Sequence, residues 1–118
     1  MISSNKLPTI TIIVCVFNAE KFLKPCIDSL LAQVYPNINV VFLNDGSTDR
    51  SLEIIKEYSK KFEHLDYISD GINLGTAARR QQGLDTVTTE LMSFFDADDI
   101  ADPNLIISQV NRNIIIII

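Results

Sequence analysis

The run Thr9-Ile10-Thr11-Ile12-Ile13-Val14-Cys15-Val16 decides the fold of this chain. It is β-branched and nearly uncharged, which suits a strand covered on both faces rather than one with a wet side. Strands of that kind alternate with helices, and a helical pattern follows. Leu23, Cys26, Ile27, Leu30, Leu31 and Val34 fall on one apolar stripe. Pro25 is tolerated only in a first turn, so this helix is expected to start near Phe22. Tyr35-Pro36-Asn37 stops it. Residues 39–43 (NVVFL) then read as a second buried strand.

The alternation continues. Thr48 or Asp49 is placed to cap a second helix, with Leu52, Ile55, Tyr58 (or Ser59) and Phe62 as its inner stripe. Residues 65–69 form a short third strand and residues 71–75 a turn. A third helix is expected from Thr76 to about Thr86, with Ala77, Ala78 and Gly83 as a small-residue face. Residues 91–95 are the fourth strand, and Asp102-Pro103 reads as cap and first residue of a fourth helix. Right-handed crossovers then demand a mainly parallel sheet with helices on both faces, a three-layer α/β/α architecture in a single domain, residues 1–118. Five isoleucines at 114–118 read as an artefact or a truncated buried strand, and stand outside the functional argument.

Composition narrows the function. A hydrophobic fraction of 47% supplies a full core, and a net charge of −5 lacks the basic stripe a nucleic-acid surface needs. Cys15 and Cys26 lie in apolar surroundings and read as small core residues, with no bridge or metal spacing. No signal peptide or membrane span is visible, so a cytoplasmic protein is expected, with any membrane association carried by a longer parent.

Ligands of parallel α/β sheets sit beyond the carboxyl ends of the strands, near a switch in strand order. Polar, acidic and glycine residues crowd all four strand exits: Phe17-Asn18-Ala19-Glu20, Asn44-Asp45-Gly46-Ser47, Asp70 to Gly75 with Arg79 and Arg80 beyond, and Asp96-Ala97-Asp98-Asp99. In the last, alternation points Asp96 and Asp98 to one side while Ala97 fills the other. Carboxylates this close repel, and a hard divalent ion relieves them. A solvated loop is the plainer reading. Asp45-Gly46 is turn chemistry, or else an acceptor for a nucleobase N–H or a ribose hydroxyl. Gly75 and Arg79 either shape a helix start and pair with a carboxylate, or meet a base edge or diphosphate. Arg80 is expected to face solvent, and Phe94 to belong to the core.

Together these segments resemble the N-terminal, nucleotide-binding part of the family 2 glycosyltransferases, which have the Rossmann-like GT-A fold. The matching stretches are TITIIVCVFNAEKFL, CIDSLLAQVYPNINVVFLNDGSTDRSLEIIKEY, NLGTAARRQQGL and ELMSFFDADDIADPN, nearly all of residues 9–104. The resemblance implies that Asp45 contacts the base of a nucleotide-diphosphate sugar. It implies that Asp96 and Asp98 are the Asp-x-Asp pair flanking Ala97, Asp96 near the ribose and Asp98 on a Mn²⁺ or Mg²⁺ ion. Val16, Phe17 and Asn18 would line the nucleotide pocket, with Glu20 a weaker candidate.

Three positions depart from that family's usual pattern: Cys15 for proline or a small hydroxyl residue, Asn44 for aspartate, and Arg80 for asparagine. These departures bear on nucleotide fit more than on metal binding. The family typically continues through an acceptor-binding half with a general base, so the chain reads as a donor-binding fragment of an inverting transferase. A non-catalytic nucleotide-sugar-binding module is the alternative. A phospho-acceptor signalling domain is set aside, because its acids after the first strand and its late lysine are missing. The implied partners are a UDP-sugar foremost, with dTDP and GDP open, and a glycan, lipid or protein acceptor. An unfinished sheet edge also invites self-association.

Overall fold

The computed structural model describes residues 7–112 and the backbone of 116–117. Four strands, β1 (Ile10–Val16), β2 (Ile38–Asn44), β3 (Leu65–Ser69) and β4 (Leu91–Asp96), run parallel, and β5 (Ile116–Ile117) is antiparallel to β4. The order is β3-β2-β1-β4-β5. β1 is central, pairing Ile10 with both Ile38 and Leu91. The chain therefore steps outward from β1 to β3, then returns to the other side of β1 for β4. The order reverses between β1 and β4, where such sheets leave a crevice.

Helices α1 (Glu20–Leu31), α2 (Ser51–Lys61) and α4 (Leu105–Asn111) cover one face and α3 (Thr76–Thr86) the other. Strand alternation supplies both cores. Ile10, Ile12, Val14 and Val16 pack with Leu23, Ile27, Ile55 and Ile106, while Ile13, Val41, Leu43 and Met92 pack with Leu84 and Val87. The three-layer parallel architecture is as the sequence predicts. Among the described residues no helix is long and apolar enough to cross a membrane.

Local expectations need several corrections. α1 begins at Glu20, so Pro25 lies within it. Lys21, whose carbonyl loses its helical donor, and Pro25 are both exposed, so water can replace the missing bond. α2 begins at Ser51, with Asp49 Oδ1 accepting from the Ser51 N–H at 2.9 Å. Its buried residues are Ser51, Ile54 and Ile55; Leu52 is half-buried and Phe62 exposed. Val34 is exposed beyond the end of α1. On α3 only Gly83 of the small residues is buried, since Ala77 and Ala78 face outward. α4 starts at Leu105, because Asp102 closes a turn first, its Oδ1 accepting from Asn104 and its carbonyl from Leu105. Of the isoleucine run, Ile116 and Ile117 pair with Met92 and Leu91; positions 114, 115 and 118 lie outside the described residues.

Candidate functional site

A cavity of about 420 Å³ opens where the order reverses, between the exits of β1 and β4. Phe17 and Asn18 come from the β1 exit, Asp96, Ala97 and Asp98 from the β4 exit. Thr76 and Arg80 of α3 reach it from the third side.

Asn18 organises the first wall. It sits at φ 49°, in the left-handed region that asparagine adopts more readily than most residues. Its Oδ1 accepts from the N–H groups of Thr48 at 2.8 Å and Asp49 at 3.3 Å, while its own N–H donates to Ser47 Oγ at 3.0 Å. Ala19 N–H donates to Ser51 Oγ and Glu20 N–H to Asp49 Oδ2. The β1 and β2 exits are thus sewn together. Burial opposes the charge on Asp49, yet the bonds from Ser51 and Glu20 outweigh it and hold the carboxyl below its usual range.

Along the β4 exit, carboxylate oxygens of Asp96, Asp98 and Asp99 lie within 4.8 Å of one another. All three residues are exposed, and none of the three carboxylates accepts a hydrogen bond within the described residues. Every lone pair is available, and an all-oxygen acidic set suits a hard divalent cation. The donors present therefore fit Mg²⁺ or Mn²⁺. The loop is anchored from beneath, where the Cys26 thiol donates to the Asp96 carbonyl at 3.7 Å. Burial, and then the charges of Asp99, Asp98 and Asp96, push that thiol up to about 12.

The second and third exits meet through Asp45 and Arg79. Asp45 is 6% exposed; its Oδ1 accepts from Leu74 N–H at 2.7 Å and from Arg79 Nε at 2.9 Å. Its Oδ2 accepts only from Gly75 N–H, at 3.1 Å. Burial works against this charge, but the Leu74, Arg79 and Gly75 bonds hold the carboxyl below the ordinary range. Arg79 is completely buried. Its five donors go to Asp45, twice to Asp70, to Gln82 and to the Ile72 carbonyl. Asp70, bonded first by Arg79 and then by the Ile72 N–H, is lowered to about 2.

The sequence candidates therefore divide. Phe17, Asn18, Asp96, Ala97 and Asp98 gather around the cavity. Glu20 is exposed on the first turn of α1, and Val16 is buried under the β1 exit. Gly75, at φ 93°, gives α3 its start and its N–H to Asp45. Of the two readings of Arg79, the pairing with carboxylates is the one seen, and all five of its donors are engaged within the protein. Arg80, expected in solvent, and Phe94, expected in the core, both line the cavity, with the guanidinium 5.0 Å from the ring centroid. Cys15 is half-buried at the same place. The signal that could have found Arg80 was helical spacing: Thr76 and Arg80 are four apart and share a face.

A parallel α/β sheet with an acid-lined crevice at its switch point is the arrangement in which open α/β domains bind their ligands. The comparisons with known proteins make that specific. The sequence model for Glycosyl transferase family 2 matches residues 11–112, and the chain belongs to that family. Among curated relatives, glycosyltransferase GlyA of Streptococcus pneumoniae is 44% identical over 90 residues, covering 76% of this chain and 13% of that protein. The uncharacterized glycosyltransferase YibD of Escherichia coli is 33% identical over 105 residues, covering 89% of this chain and 29% of its own length. The chain thus spans less than a third of either relative. S. aureus TarS 1-349, solved in complex with UDP, superposes with a TM-score of 0.78 at 27% identity, covering 87% of this chain and 31% of that one.

Proposed function

We propose that this chain binds the donor in a transferase that moves a sugar from a nucleotide-diphosphate sugar to an acceptor hydroxyl, with inversion and with a divalent cation. The observation that carries it is the meeting, at the switch point, of a cavity of about 420 Å³ and carboxylates that have no partner among the described residues. Asp98, with Asp96, would hold Mn²⁺ or Mg²⁺, which supplies Lewis-acid stabilisation of the departing diphosphate. Phe17 gives the cavity an aromatic wall for the nucleoside, on a backbone that Asn18 fixes. Asp45 stands outside the residues that line the cavity, and Oδ2, which accepts only from Gly75 N–H, is the oxygen it would offer to a base N–H. A UDP-sugar is the favoured donor, supported by the TarS structures with UDP and UDP-GlcNAc at 27% identity. The general base and acceptor site belong to sequence outside this chain, a reading supported by the small share of its relatives that it spans. Taken alone, the chain binds a donor without transferring it.

Calorimetry of UDP, GDP and dTDP, with and without Mn²⁺, tests the proposal. Metal-dependent binding of one nucleotide is expected, with Asp98→Ala weakening it at least about tenfold, the loss of one charged ligand interaction. Binding that is equal without metal, or indifferent to Asp98→Ala, overturns it. Sugar transfer by the isolated chain is expected to be undetectable.

A further inference from the structure

α3 carries two adjacent arginines with opposite fates. Arg79 is spent inside the protein, whereas Arg80 is exposed and is the one cation among the described residues that line the cavity. None of the ion pairs among the described residues involves it. Its guanidinium rests over Phe94, an arrangement that holds a cation without neutralising it. Phe94 and Asp96 are two apart on β4, so their side chains leave the same face of the sheet about 7 Å apart. A guanidinium and carboxylates therefore line one cavity from two sides with no ion pair closed between them. A ligand that fits this gap presents anionic oxygens to the guanidinium and more anionic oxygens to a cation on the acids. A neutral sugar or a nucleobase has no such pair of faces, but a diphosphate does.

We propose that Arg80 binds the diphosphate of the nucleotide, approaching it from the Phe94 side while the acidic exit of β4 faces it from the other. This rests on the donor reading above and adds a binding residue to it. Arginine suits the role because its planar fork takes two phosphate oxygens at once, where the asparagine usual at this position in the family would bring no charge.

The test uses the nucleotide among UDP, GDP and dTDP that binds most tightly, with its monophosphate and its nucleoside, titrated with Mn²⁺ into wild type and Arg80→Ala. The variant is expected to lose about 10- to 100-fold in affinity for the diphosphate and less for the monophosphate, the effect of one charged hydrogen-bonding group. Nucleoside affinity and the thermal midpoint should stay unchanged, which separates lost phosphate contact from lost fold. Equal affinity of variant and wild type for the diphosphate, or an equal loss for all three probes, overturns the role of Arg80 and leaves the donor reading intact. A wild-type chain that binds none of the three nucleotides overturns both.

Discussion

Replacing Arg79 by methionine removes the centre of a buried charge network while keeping a long apolar stem. Asp45, 6% exposed, would keep the Leu74 and Gly75 N–H groups but lose its counter-charge. Breaking a buried pair by deleting one partner costs about 3–5 kcal/mol, and the two surviving amides argue for the lower end, about 3 kcal/mol. In urea, where small domains show slopes of about 1–3 kcal/mol/M, the midpoint should fall by about 1–3 M at pH 7. Acid supplies a second reading. Arg79 holds Asp70 at about 2, and helps to hold Asp45 below its ordinary value. A carboxyl lowered in the folded state stabilises it fully above the unfolded pKa, about 3.9, and loses that contribution as pH falls through the folded value. The gap between wild type and Arg79→Met should therefore be constant from pH 7 to about 5 and shrink from about pH 4 towards 2. A cost under about 1 kcal/mol at pH 7, or a gap that acid leaves unchanged, refutes the network as the tie between these loops.

Two further predictions concern packing and reactivity. A Cβ at Gly83 would stand 2.6 Å from Ile13 Cγ2 and 3.2 Å from Leu43 Cδ2, so Gly83→Ala should destabilise. Overpacking by about 1–3 kcal/mol outweighs the roughly 0.5–1 kcal/mol that alanine gains in a helix, and a thermal midpoint that rises would contradict this account. The Cys26 thiol, pushed up to about 12, is thiolate in only about one part in ten thousand at pH 8, so iodoacetamide should label Cys15 first and Cys26 only on unfolding. Mass mapping showing Cys26 labelled first in the native chain would contradict its burial.

The strands were legible because both faces of the sheet are covered, which writes each one as an unbroken apolar run. β3 is found at its observed ends and the others within a residue or two. Helix starts were less legible, since a cap is a local bargain that tertiary bonds can shift. Asp49 accepts from the N–H of Ser51 with one oxygen and from that of Glu20 across the loop with the other. That the acidic cluster stands at the exit of β4 could be read from its place directly after an apolar run. The roles of Arg79 and Arg80 could not. Two identical neighbours on a helix point about 100° apart, and only the position of α3 over the sheet decides which one turns inward. The same holds for Phe94, apolar in sequence but set beside a cavity that the sequence does not outline.

The stitching of Asn18 to Thr48 and Asp49 has a consequence for engineering. Two loops that share hydrogen bonds cannot change length separately: a residue inserted between Asp45 and Asp49 would unseat the turn after Val16 as surely as a change at Asn18 itself. Specificity is better retuned from the opposite bank, at Thr76 and Phe95, which line the cavity and take no part in that stitching. Libraries built there would leave the sewn half of the rim as a fixed reference edge.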